Sequence, residues 1–204
     1  MPINGSLCGQ LIHIEMLSAG LLGENAINVA KAVGNGVANA MLAAIYTGTS
    51  TGLGIGTGAS VGSMAGGITV GALVGNMIYL QMLAQGFLGE YAQDLAKSIG
   101  NGVASHVATG IIQGTSAVVG IGAGVGVITG VIGAALGQQI NALMLAEGLL
   151  GEATPKLASA IGNGIGAVVP QTIVSTTITG VAIGTVPPAL PPIPSVGTDT
   201  GKII

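Results

Sequence analysis

The residues able to do chemistry are few, and their spacing is what singles them out. A glutamate closes Gly20-Leu21-Leu22-Gly23-Glu24, and the pentapeptide recurs as Gly86-Phe87-Leu88-Gly89-Glu90 and Gly148-Leu149-Leu150-Gly151-Glu152. Each copy leads to a Gly-Asn-Gly, at Gly34-Asn35-Gly36, Gly100-Asn101-Gly102 and Gly162-Asn163-Gly164. The offset is 14 residues every time (20 to 34, 86 to 100, 148 to 162). Three carboxylates related by an internal repeat could converge on a cation around a threefold axis. The simpler reading puts Glu24, Glu90 and Glu152 at helix starts, where a carboxylate meets the positive end of the helix dipole.

The remaining polar groups offer less. His13 and His106 fall at non-equivalent points of the repeat, and His106, between Val103 and Val107, reads as a structural histidine with its hydrogen bonds satisfied. Cys8 is the single cysteine, so no intrachain disulfide forms and no zinc ligand set exists. Glu90, Asp94 and Lys97 share one helical face and read as a solvated ion-pair surface. Gly54-Ile55-Gly56-Thr57-Gly58-Ala59 fits a relaxed dinucleotide fingerprint but lacks the acidic residue about 20 positions on, and Gly201-Lys202 lacks P-loop spacing. No nucleophile–base pair can be named. The expectation is therefore a protein that is not an enzyme, with no catalytic, cofactor-binding or metal-binding residues and no cofactor.

Composition sets the frame for these groups. Half of the 204 residues are hydrophobic, yet aromatics make up 2% and charged residues 5%, with 38 glycines, no tryptophan and no arginine. Apolar mass carried by Ala, Val, Ile, Leu and Gly gives little area per residue, and buried area stabilises by only ~25 cal/mol per Å². Such a chain needs close backbone packing, a membrane, or burial against other subunits. Four lysines (Lys31, Lys97, Lys156, Lys202) against seven acids give a net charge of −3. That excludes the basic cluster on which nucleic-acid binding rests. The N-terminus has no basic stretch ahead of its apolar residues, so no signal peptide is expected.

The elements that must position these residues follow from periodicity. Residues 1–15 read as a lead-in, with a first repeat over 16–81, a second over 82–143 and a divergent third over 144–186. In each, a Met-Leu pair (Met16-Leu17, Met82-Leu83, Met144-Leu145) begins a helical turn ending at the first glycines, and the glutamate opens a second helix. Gly-Asn-Gly is expected as a helix stop or a point of close contact. Val37, Met41 and Ile45, matched by Val103, Val107 and Ile111, predict a further helix. Glycine then takes every second position in 52–58 and again in 120–126. Period two predicts extended strands with one bare face open to close backbone approach. Residues 64–84 and 128–146 return to helix, with small residues spaced by four at Gly67, Gly71 and Gly75 and at Gly126, Gly130 and Ala134. In the third copy Pro170 interrupts the last helix, residues 172–186 read as strand, and 187–204 form a Pro/Gly-rich arm. The fold class predicted is mainly α with Gly-rich extended segments (α+β), in three internal repeats of about 64 residues.

The uncharged runs, 32–89 and 98–146, are long enough for membrane hairpins. Their many Thr, Ser, Asn, Gln and Gly residues, and the lack of flanking Lys/Arg and Trp, weaken that reading. The Gly-Thr alternation, the internal repeat, the absence of arginine, and the end Pro187-Pro188-Ala189-Leu190-Pro191-Pro192-Ile193-Pro194 with Gly197-Thr198-Asp199-Thr200-Gly201-Lys202 resemble virion structural proteins of tailed bacteriophages. The resemblance covers about the last third of the chain. It implies a non-enzymatic, multicopy component of a capsid, neck, tail or baseplate, located in the virion. Its partners would be copies of itself and other structural subunits, with no nucleic acid, and residues 187–204 would reach onto a neighbour. The alternative is a membrane-embedded channel or membrane-perturbing protein built from Gly-rich helical hairpins.

Overall fold

A computed structural model of the chain describes residues 4–53, 56–118, 121–180 and 194–203. It is mainly helical, with an antiparallel sheet. Among the described residues six α-helices run α1 (Gly5–Ser18), α2 (Ala26–Leu42), α3 (Gly71–Ala84), α4 (Glu90–Ala108), α5 (Gly133–Ala146) and α6 (Thr154–Val168). Six strands alternate with the helix pairs: β1 (Ile45–Leu53), β2 (Gly56–Ala65), β3 (Ile111–Val118), β4 (Ile121–Thr129), β5 (Ile173–Gly180) and β6 (Pro194–Ile203). Consecutive strands pair antiparallel, and β6 pairs back onto β1, closing a barrel.

The helices form antiparallel hairpins held by glycine. The first glycine of each Gly-Asn-Gly packs against its own hairpin: an added Cβ on Gly100 would lie 2.6 Å from the Gly75 Cα, and on Gly162 2.5 Å from the Gly137 Cα. Gly34 meets Gly9 in the same way. The last glycine faces the next hairpin instead. Gly36 lies against Ile78, Gly102 against Ile140, and Gly164 against Ile12. The third of these contacts joins α6 to α1 and closes the six helices into a ring. Asn163 Nδ2 adds a 3.3 Å hydrogen bond donated to Glu15 Oε2 across the same junction.

Burial explains why glycine alternates in the strands. Tyr46, Met64 and Ile128 are buried, whereas Ile45, Val61, Ile111 and Val127, one residue out of phase, are about half exposed. Register carries this division around the barrel through the pairs Tyr46–Met64, Gly48–Gly62, Gly114–Gly126 and Tyr46–Gly201. Every strand glycine, from Gly48 to Gly201, falls on the Tyr46 face, the inside. Eight-stranded barrels are just wide enough for side chains to fill them. With six strands the walls are closer, and bare backbone is what fits. The Tyr46 ring occupies the space over Gly48 and Gly62, where a Cβ on Gly62 would fall 2.5 Å from its Cε2.

Several sequence expectations are corrected. Residues 5–15 are helical, not a lead-in: α1 begins at Gly5, with Asn4 Oδ1 accepting from Ser6 N at 2.9 Å as its N-cap, and Met16-Leu17 end that helix rather than begin it. Gly-Asn-Gly does not stop a helix. It lies inside α2, α4 and α6, because the close approach it permits is to a neighbouring helix. Val37 and Met41 continue α2, while Ile45 and Ile111 already belong to strands. Residues 64–65 and 128–129 end β2 and β4, so α3 and α5 start later, at Gly71 and Gly133. The interruption expected at Pro170 agrees with the structure: α6 ends at Val168, and Pro170 falls in the short 3-10 turn that follows. The free C-terminal arm is overturned over 194–203: this segment is β6, hydrogen-bonded on both sides within its own chain. Most of the proline run, up to residue 193, lies outside the described residues.

Candidate functional site

The repeated pentapeptide forms the connections between α1 and α2, α3 and α4, and α5 and α6. Its first glycine stops a helix. Gly20, Gly86 and Gly148 have φ of 78°, 85° and 78°, the left-handed conformation that glycine adopts without a Cβ penalty. At each, the following residue donates its N–H to a carbonyl five residues back: Leu21 to Met16 at 2.9 Å, Phe87 to Met82 at 3.0 Å, and Leu149 to Met144 at 2.9 Å. This double-bonded helix stop turns Leu21, Phe87 and Leu149 back against the core. It turns the next residue outward: Leu22, Leu88 and Leu150 are 76%, 80% and 77% exposed. Because α2, α4 and α6 run from these connections into the strands, all three leucines stand at the end of the bundle opposite the barrel.

Glu24, Glu90 and Glu152 follow two residues later and are exposed. Glu90 is the first residue of α4, where it meets the helix dipole as the sequence suggests, whereas Glu24 and Glu152 precede α2 and α6 by two residues. Among the described residues no group of three or more His, Cys, Asp or Glu is placed to hold a metal ion. The Ser18, Thr69, Ser105, Thr109 and Thr129 hydroxyls all donate to backbone carbonyls. Burial pushes the Cys8 thiol up to about 12, which leaves almost no nucleophilic thiolate at neutral pH. His106, near the end of α4, accepts a 3.1 Å hydrogen bond at Nε2 from Ile132 N, at the start of α5. It is a clasp between hairpins. Lys97 Nζ lies 2.8 Å from Glu147 Oε1, and that hydrogen bond, followed by the charge itself, raises the lysine above its ordinary value.

Concavities accompany these features among the described residues. A cleft of about 410 Å³ at the leucine end is lined by Tyr91 and Leu95 of α4 and by Met144, Leu149, Leu150 and Leu157 of the third hairpin. Two grooves run along hairpin faces where facing glycines leave no side chains: about 420 Å³ beside Gly9, His13 and Lys31, and about 200 Å³ beside Gly75, Tyr79 and Lys97. His13 Nδ1 is buried in the first groove with no hydrogen-bond partner. The exposed leucines were the feature that pattern reading missed, since an apolar residue beside a helix stop is ordinarily counted toward the core. Their one sequence signal is the pairing Leu-Leu or Phe-Leu in every copy, two apolar residues where a Schellman turn needs one. In comparisons with protein families, curated proteins and solved structures, nothing matches this chain.

Proposed function

We propose that the chain is a non-enzymatic structural subunit of a large multicopy assembly, a tailed-phage virion component of capsid, neck, tail or baseplate type. In this reading the chain is three repeats of about 64 residues around a pseudo-threefold axis. The third is divergent, its two strands being joined through 181–193 where the others are joined through 54–55 and 119–120. The observation that carries the reading is the ring itself. The same glycine-to-isoleucine contact between hairpins occurs three times, at Gly36–Ile78, Gly102–Ile140 and Gly164–Ile12. Each copy also leaves an equivalent leucine largely exposed. A closed ring with matched exposed apolar points suits attachment better than turnover. The C-terminal sequence and the absence of arginine support the virion assignment. Sedimentation of the full chain in detergent-free buffer tests it. Large particles of defined copy number are expected, whereas a monodisperse 19.5 kDa monomer at every concentration removes self-assembly from the proposal.

A further inference from the structure

We propose that the groove between α1 and α2 binds a small organic carboxylate, its charge held by Lys31 and His13 and its apolar body laid along Ile14 and Ile27. This goes beyond the assembly reading and does not depend on it. The groove encloses about 420 Å³, a volume in the range of small-ligand sites. Its floor is backbone: a Cβ added to Gly9 would lie 3.0 Å from the Lys31 Cα. Ser6 and Gln10 line it beside the lysine, the histidine and the two isoleucines. A few polar groups set in an apolar trough fix one end of a ligand and receive the rest.

The repeat shows what is particular to this copy. Lys31 and Lys97 both stand three residues before Gly-Asn-Gly, but Lys97 is held by Glu147 at 2.8 Å. Glu147 immediately precedes the first glycine of its pentapeptide, and the residue so placed in the hairpin next to α2 is the neutral Gln85. Among the described residues Lys31 makes no ion pair. His13 and Tyr79 both stand seven residues before the pentapeptide, and the groove beside the larger Tyr79 holds about 200 Å³. In the third copy Ser159 takes the place of the lysine. The first copy alone joins an uncommitted ammonium to an imidazole. His13 Nδ1 is buried without a hydrogen-bond partner, and a bare buried lone pair is tolerated better than a bare N–H. The ring proton is therefore assigned to Nε2, where it can be donated to a ligand. One ammonium among neutral donors balances a single negative charge, as on a carboxylate. Phosphate recognition favours arginine, which this chain lacks.

The test is equilibrium dialysis of radiolabelled hexanoate against the purified full-length chain at neutral pH. One saturable site per chain is expected. Lys31→Met, which keeps the apolar stem and removes the charge, should weaken binding roughly tenfold, the scale of one charge-assisted hydrogen bond. His13→Tyr, which copies the second groove, should abolish binding by filling the space. Lys97→Met should bind as the wild type does, because that ammonium is already paired. Hexanamide, of the same shape without the charge, and inorganic phosphate should both fail to displace the label. Each variant should keep the wild-type helical circular dichroism spectrum. Absence of saturable binding by the wild type overturns the proposal, and loss of sedimenting particles in Lys31→Met would then assign the groove to a second copy of the chain. Unchanged affinity in Lys31→Met or His13→Tyr also overturns it, as does an equal loss in Lys97→Met. So does displacement by hexanamide or phosphate as effective as that by unlabelled hexanoate.

Discussion

Replacing Gly100 by alanine adds one methyl group between α4 and α3, where its contacts are backbone. The new Cβ would meet Gly75 N, the Gly75 Cα at 2.6 Å and the Gly71 carbonyl oxygen at 2.7 Å. Ordinary carbon contacts begin near 3.5 Å, so the helices must separate by most of an ångström along the hairpin. Overpacking a core costs about 1–3 kcal/mol, and backbone cannot rotate aside, so the upper end applies. Alanine returns up to ~1 kcal/mol of helix propensity. The net loss is about 2 kcal/mol, which in a chain of this length lowers Tm by roughly 4–8 °C. Gly102→Ala is the control on the same helix. Its nearest obstacle is the Ile140 Cγ1 methylene at 2.7 Å, with backbone no closer than 3.4 Å, so one side chain has to shift where Gly100→Ala has to move backbone. Urea and thermal unfolding followed by circular dichroism at both positions should therefore show a clear loss for Gly100→Ala and a smaller one for Gly102→Ala. If Gly100→Ala stabilises the protein, as alanine does at an exposed helical glycine, the close-approach account of Gly-Asn-Gly is wrong.

Two further outcomes follow from single side chains. Cys8 is fully buried with its thiol pushed from 9.0 to about 12. Because the folded value is raised, its contribution to stability is complete below about pH 9 and is lost as pH rises toward about 12. The urea midpoint of the wild type should therefore fall over that range more steeply than that of Cys8→Ala, and parallel profiles would contradict it. His106→Ala removes the acceptor for Ile132 N. Since water can reach that N–H, the loss should be about 1 kcal/mol or less. Hydrogen exchange should quicken first at the N-terminal turn of α5, and uniform quickening across the chain would refute a local clasp.

Local chemistry settled much of this protein in advance. Glycine at every second position pointed to extended structure, and of 52–58 and 120–126 the described residues, all but 54–55 and 120, lie in strands; the first glycine of each pentapeptide pointed to a helix stop, because a missing Cβ acts within a few residues of chain. The scarcity of charge and the three equal 14-residue offsets were visible before any fold was known. What the sequence left open depended on partners distant along the chain. Gly-Asn-Gly has the composition of a stop, and only the backbones of Gly9, Gly75 and Gly137 across each hairpin make it a mid-helix contact. The C-terminal residues carry a linker's composition, and only the free edges of β1 and β5 recruit 194–203 into the barrel. Ring closure through Gly164 and Ile12 joins residues too far apart for any local pattern to register. Exposure of Leu22, Leu88 and Leu150 was decided the same way, since the first apolar residue of each pair packs against the core and the turn leaves the second facing outward.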